Sequence, residues 1–217
     1  HDKEKVMTFN GEIYNYLEIK SNLLREGCNF QTNSDTEIIM KSHMHYGKEC
    51  FDKFEGMWAY GIFDKTTKEL ILSRDRFGEK PLYYLKTSSG FYFGSEIKMI
   101  ESLLGQKLEI DYNHLKRYIV LGHKSLFKYN SHFYKDIEEV NPGEFITISR
   151  NLKVASKKYW NPVFIPDDSK PRDYFVKKVR DDLIKSVELR MRSDVPFSFC
   201  LSGGVDSGSL ISIASKI

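Results

Sequence analysis

The sequence predicts an α+β layered domain followed by the opening strand, loop and helix of a second, α/β unit. Three observations carry this reading. Residues 55–100 run as short strand-like segments broken by turn clusters, helical patterns stand before and after them, and Leu201–Gly208 (LSGGVDSG) is a glycine-bearing loop between an apolar run and a helix.

In chain order, Val6–Phe9 reads as a short strand entering the turn dipeptide Asn10-Gly11. Tyr14–Arg25 reads as a helix with Gly27 as its stop, and Cys28–Thr32 as a brief extended piece. Ser34-Asp35-Thr36-Glu37 is a capping box before Ile38, Ile39 and Met40, which predicts a second helix start. Strands are expected at Met57–Asp64, Glu69–Ser73, Leu82–Leu85 and Gly90–Phe93, then helices at Glu96–Leu104 and Tyr112–Leu121. Two more strands, Gly143–Ser149 and Val154–Tyr159, close the first domain. Residues 161–172 hold three of the six prolines and read as a linker. Beyond it, Phe175, Val179, Leu183 and Val187 form a helical stripe, Val195–Leu201 a strand, and Val205 onward a helix.

The composition narrows the function classes. Hydrophobic residues make up 41% and charged residues 29%, the balance of a globular protein. The net charge, 33 − 30 = +3, is too small to call for nucleic acid or a membrane surface. No apolar run approaches the roughly 20 residues that span a bilayer, and the charged opening HDKEKVMTF is not expected to be a signal peptide. The three cysteines, Cys28, Cys50 and Cys200, are widely spaced, which predicts a reducing compartment and packing thiols without metal-ligand spacing. His43 and His45, two residues apart on a helix, face apart and do not form a metal pair. Position 1 is His, and the chain stops within a helical pattern, so the sequence is expected to be a piece of a longer one.

Chemistry is concentrated in three segments. In LSGGVDSG, Gly203 and Gly204 allow close backbone approach, Ser202 and Ser207 offer hydroxyl donors, and the helix start faces an anion with its amides. Asp206 would repel a phosphate unless it holds Mg²⁺. No Lys follows the second glycine, so this is not the Walker pattern. In FNGEIYN, the Asn10 amide and Gly11 N–H could form an oxyanion hole, although Asn10-Gly11 alone is more often a turn. In NSDTE, Asp35 at a helix start could bind a substrate ammonium, a role that spacing alone does not establish.

Taken together and in order, FNGEIYN, SDTE, FEGMWAYGIFD, LSRDRFGEKPLYY, FGSEIK and RSDVPFSFCLSGGVDSG resemble the glutamine-hydrolysing asparagine synthetase family across nearly the whole chain. The resemblance implies an N-terminal-nucleophile-type αββα sandwich over residues 1–160, a class II amidotransferase domain lacking its N-terminal segment. After the linker at 161–172, residues 173–217 would begin an ATP-pyrophosphatase domain of the adenine nucleotide α-hydrolase-like kind. It implies that the Asn10 amide and Gly11 N–H form the oxyanion hole, and that Glu12 and Asp35 bind the α-amino group of glutamine. Ser202, Gly203, Gly204, Asp206 and Ser207 would hold ATP with Mg²⁺ on Asp206, with Leu201 beside the adenosine. Residues 74–84 would be structural wall.

The full-length reaction so implied is that of a cytoplasmic C–N ligase. Glutamine is hydrolysed for ammonia, aspartate is activated by ATP as β-aspartyl-AMP with release of pyrophosphate, and ammonia converts the adenylate to asparagine and AMP. The partners expected are these small molecules, with no nucleic acid or membrane and with room for a homodimer of the full-length protein. The family's nucleophile, a cysteine at the mature N-terminus, is not in this sequence, nor is the arginine that grips the glutamine carboxylate, so these 217 residues are expected to be inactive towards glutamine. Gly208 stands where the family has serine, and Ser198 where it has glycine. Two alternatives remain open at this level: a relative that amidates another carboxylic acid, and a non-catalytic scaffold that has lost its nucleophile.

Overall fold

A computed structural model describes residues 4–123, 126, 131–196 and 198–217. Strands β1 (Lys5–Ile13), β2 (Gly56–Asp64) and β3 (Leu70–Arg74) are joined across a chain gap by β7 (Glu144–Ile148) and β8 (Val154–Lys158) in an antiparallel sheet ordered β1-β2-β3-β7-β8. A smaller antiparallel sheet is ordered β5-β4-β6, from β4 (Tyr83–Lys86), β5 (Phe91–Gly94) and β6 (Glu138–Glu139). The helices are α1 (Tyr16–Arg25), α2 (Asp35–Tyr46), α3 (Ile97–Leu104), α4 (Tyr112–Leu121), α5 (Arg172–Arg190) and α6 (Val205–Ala214), with a 3-10 turn at Gly47–Lys53.

Alternation along the strands sorts the apolar residues into layers. Trp58, Tyr60, Ile62, Ile71 and Phe145 face α1 and α2, packing with Ile19, Leu23, Ile38 and Ile39. The intervening Ala59, Leu72, Ile146 and Ile148 face the smaller sheet and meet Leu82 and Tyr84. On that sheet's far side Leu85 packs with Ile100 of α3 and Ile137. The result is a helix–sheet–sheet–helix sandwich, the first of the two architectures expected. Among the described residues no helix is long and apolar enough to cross a membrane.

Several local expectations are corrected. Asn10-Gly11 is not a turn: β1 runs straight through it, paired residue by residue with β2 from Lys5↔Asp64 to Ile13↔Gly56. A long ladder outweighs a two-residue preference. Only half of the capping box forms: Ser34 Oγ accepts from Thr36 N at 3.2 Å, whereas Glu37 reaches back beyond Ser34 and accepts from Gln31 N, Thr32 N and Thr32 Oγ1. Burial alone would raise the Glu37 pKa, but those donors outweigh it and the carboxyl titrates below its ordinary range. Val195–Leu201 is not a strand over its described residues, since no neighbouring strand offers a ladder, and Leu201 is 65% exposed. Strand β6, only two residues long, has no period to betray it and is held by pairing to Tyr83 and Tyr84.

Candidate active site

β1 is the edge strand of the larger sheet, and its alternation turns Thr8, Asn10 and Glu12 outward while Phe9 and Ile13 pack inward. Gly11 sits opposite Trp58 at φ 149°, and a Cβ there would lie 2.1 Å from the Met57 carbonyl oxygen. No residue but glycine fits that approach. Trp58 commits its own backbone to Asp75, donating N–H to the carboxylate (3.2 Å) and accepting from Asp75 N (2.9 Å).

Two contacts position the outward side chains. The Asn10 amide donates from Nδ2 to Ser95 Oγ at 3.0 Å. An amide nitrogen carries two hydrogens, so this bond orients the group and leaves a second donor. Asp35, the first residue of α2, accepts from Ile13 N at Oδ2 (3.2 Å), fastening the helix start one residue beyond Glu12. Asn15 then pins the strand exit, donating to Lys53 O (2.8 Å) and accepting from Glu55 N (2.9 Å). Asn10, Gly11, Glu12 and Asp35, far apart in sequence roles, are therefore gathered at one end of β1.

The electrostatics at that end are acidic. Buried Tyr14 has its phenol pKa raised first by burial and then by Glu79, with Glu12 and Asp75 adding to the effect and Arg190 opposing it. Carboxylates grouped in this way favour a cationic group. A cavity of about 440 Å³ opens beside Asn10, lined among others by Thr8, Gly61, Phe93, Ser95 and Met99. A second, of about 570 Å³, continues between the sheets over Val6, Phe63, Phe91 and Ile148. Glu12 and Asp35 line neither cavity.

Ser95 and Glu79 are the site residues that residue-level reasoning passed over. Ser95 lies in FGSEIK and Glu79 in LSRDRFGEKPLYY, and only the folded chain brings Ser95 to Asn10 of β1 and the Glu79 charge to bear on Tyr14 just past it. The segment around Glu79 is a built turn: Asp75, fully buried, accepts from Phe77 N, Glu79 N and Lys80 N, each at 3.0 Å. Arg74 donates to the carbonyls of Gly78, Lys80 and Val140.

The three cysteines stand in other surroundings. Cys50 is buried near His43 and Tyr60, Cys28 faces His45, and Cys200 is exposed. The packing role expected of all three holds for Cys50 in the core and for Cys28, half-buried against it, and not for exposed Cys200.

The second candidate segment is open to solvent. Leu201, Ser202, Gly203, Gly204 and Asp206 are exposed, and Gly203 has φ 81° with open space where a Cβ would lie. Ser202 and Ser207 hydroxyls are 3.0 Å apart, and Gly204 caps α6 with no side-chain bond. Among the described residues no three His, Cys, Asp or Glu side chains converge as a metal site, so a cation on Asp206 would need ligands from a bound phosphate.

The sandwich is an amidotransferase fold. The chain superposes on the solved structure of glutamine phosphoribosylpyrophosphate amidotransferase from B. subtilis with a TM-score of 0.53 at 19% identity, over 100% of this chain and 45% of that one. The structure of an allosteric regulatory enzyme of purine biosynthesis gives 0.53 at 20% identity, over 90% of this chain and 39% of that one. The chain belongs to the glutamine amidotransferase domain family, which residues 1–160 match, and residues 178–217 match the asparagine synthase family. It is 37% identical to asparagine synthetase [glutamine-hydrolyzing] 1 of Bacillus subtilis over 99% of its length and 33% of the relative's. It is 34% identical to a putative asparagine synthetase [glutamine-hydrolyzing] 2 of Methanocaldococcus jannaschii, over 96% of this chain and 40% of that protein. The Gibberella zeae amidase chry2 is 31% identical over 96% of this chain and 30% of its own. The chain thus spans about a third of the length of these curated relatives.

Proposed function

We propose that the chain carries the glutamine-hydrolysing site, and the start of the nucleotide site, of an enzyme that moves glutamine ammonia onto a carboxylic acid at the expense of ATP, with aspartate as the acceptor. The observation that supports the glutamine half is the Ile13 N–H donated to Asp35, which ties the Asp35 carboxylate to the residue next to Glu12 on the strand that carries Asn10 and Gly11. In this reading Glu12 and Asp35 hold the α-ammonium of glutamine. The Asn10 amide, steadied by Ser95, and the Gly11 N–H on the edge strand stabilise the oxyanion of the tetrahedral intermediate. The nucleophile is a cysteine of the longer protein, since none of the three here stands with Asn10 and Asp35; these 217 residues alone do not hydrolyse glutamine.

The residues of the second segment fit a triphosphate, because Gly203 leaves room for close approach and the hydroxyls of exposed Ser202 and half-buried Ser207, with the amides between them, can donate to anionic oxygens. ATP, when bound, supplies the leaving group that makes a carboxylate electrophilic. Ser202, Gly203, Gly204 and Ser207 would hold its phosphates, Asp206 the Mg²⁺, and Leu201 the adenosine. Residues 1–160 would be the glutaminase domain, 161–172 the linker and 173–217 the start of the synthetase domain, in a cytoplasmic protein able to form a homodimer.

The test is Asn10→Ala in the full-length protein, with ammonia release from glutamine as readout. A fall in kcat of about 10²–10³ with KM nearly unchanged is expected for a lost oxyanion donor. Asparagine formation from aspartate, ATP and free ammonia should persist in the same variant. Undiminished glutamine hydrolysis would refute the assignment.

A further inference from the structure

The junction of α1 and α2 holds a chain of contacts that the amidotransferase reading does not use. Cys28 Sγ lies 3.6 Å from His45 Nδ1, and His45 Nε2 lies 2.8 Å from Glu26 Oε2. Tyr46 donates its hydroxyl to that same Glu26 oxygen at 2.7 Å. The elements explain the convergence. Glu26 caps the C-terminus of α1, Gly27 at φ 85° turns the chain, and Cys28 follows; His45 and Tyr46 end α2. The Cys28 N–H donates back to Leu23 O at 2.9 Å, which fixes where its side chain leaves the turn.

The hydrogen-bond inventory sets the imidazole's tautomer. A carboxylate only accepts, so the nitrogen facing Glu26 carries hydrogen and Nδ1 presents its lone pair to the thiol. This is the arrangement of nucleophile, base and orienting carboxylate that activates a hydroxyl or thiol. The group is reachable: His45 and Glu26 side chains are 36% and 44% exposed, and Cys28 is half-buried. It is not a metal site, because the two ring nitrogens address the thiol and the carboxylate in opposite directions. Cys50 is the internal contrast. It is buried, its pKa is pushed up to about 12 by desolvation, and its neighbour His43 is buried too.

We propose that Cys28 is a base-activated thiol that forms mixed disulfides with low-molecular-weight disulfides. The thiol proton passes to His45 Nδ1, and the thiolate attacks one sulfur of the small disulfide. The new Sγ–S bond forms as the old S–S bond breaks. The electron pair leaves on the departing sulfur, which recovers the proton from His45. Cys28 is oxidised and the departing sulfur is reduced, so the small disulfide is the only oxidant needed.

The experiment exposes the full chain to oxidised glutathione at neutral pH, quenches with acid and follows each cysteine by peptide mass mapping. Cys28 should form its adduct at least tenfold faster than exposed Cys200, and this advantage should vanish in urea. His45→Gln should slow Cys28 at least tenfold and leave Cys200 unchanged, with Glu26→Gln falling between. Cys50 labelling reports unfolding; if it rises in His45→Gln, the Glu26→Gln comparison decides. Equal rates at Cys28 and Cys200 in the folded wild type, or a Cys28 rate indifferent to both substitutions, overturn the proposal.

Discussion

Gly11→Ala should destabilise the protein far more than Gly27→Ala, although both glycines have positive φ (149° and 85°). At Gly27 an added Cβ would meet nothing within 4 Å, so only backbone strain is felt, about 1–2 kcal/mol. At Gly11 it would meet Met57 O at 2.1 Å, Trp58 Cα at 2.7 Å and Met57 C at 3.0 Å. All three are backbone atoms, and they cannot yield singly because β1 and β2 pair continuously through this register. Strain of about 1–3 kcal/mol then adds to an overpacking cost of about 1–3 kcal/mol, giving about 2–6 kcal/mol. The same approach is probed from the other strand by Gly56→Ala, whose Cβ would lie 2.1 Å from Glu12 O. Equilibrium urea unfolding measures all three; a shift of roughly 1–2 M in midpoint at nearly constant slope is expected for Gly11→Ala and Gly56→Ala. If Gly11→Ala costs no more than Gly27→Ala, the close passage of β1 over β2 is wrong, and with it the placement of Asn10 and Glu12.

Asp75→Ala should cost about 3–5 kcal/mol in thermal or urea unfolding, because it strands the Trp58, Phe77, Glu79 and Lys80 N–H groups that the buried carboxylate now accepts; Asp75→Asn, which keeps one acceptor oxygen, should cost less. His43 predicts a pH dependence: burial, reinforced by Lys5 and Lys48, lowers its pKa to about 4 from the ordinary 6.5. The unfolded chain therefore binds the proton more readily, so stability is complete above about pH 6.5 and falls as pH drops towards 4, by about 3 kcal/mol from this group. His43→Gln should flatten that limb of the unfolding profile, and an unchanged pH slope would contradict the assignment.

The layered fold was legible because its signals are periodic. β2, β3 and β7 alternate between two apolar faces, and α2 opens with a capping serine. What escaped was set by distant partners. Asn10-Gly11 has the chemistry of a turn and becomes strand because β2, more than forty residues on, offers it a ladder. Val195–Leu201 has the composition of a strand and over its described residues is not one, because a strand is defined by a neighbour. At the site, Asn10, Gly11, Glu12 and Asp35 could be nominated by residue type and family resemblance. The Ile13–Asp35 and Asn10–Ser95 bonds that join them are tertiary and leave no local trace. Glu26, Cys28 and His45 show the same limit, since their spacing matches no motif and only the packing of two helix ends brings them into line.

One further tertiary contact links the two candidate segments. Arg192, just beyond α5, donates to both oxygens of Glu18 in α1, each at 2.7 Å, and to the Tyr14 carbonyl at 3.0 Å, while Arg190 lies over the Tyr14 ring at 5.1 Å. The hydrogen bonds from Arg192 hold the Glu18 carboxyl below its ordinary range. With Glu18 53% exposed, such a pair adds at most about 1 kcal/mol to stability, so its importance lies in geometry. A planar guanidinium meeting a carboxylate and a carbonyl at once fixes orientation as an ammonium would not. Tyr14 stands two residues beyond Glu12, and Arg192 ten residues before Ser202. The chain leading to the glycine loop is thus anchored directly on the strand exit beside Glu12 and Asp35, and a shift of either must be felt at the Arg192 fork.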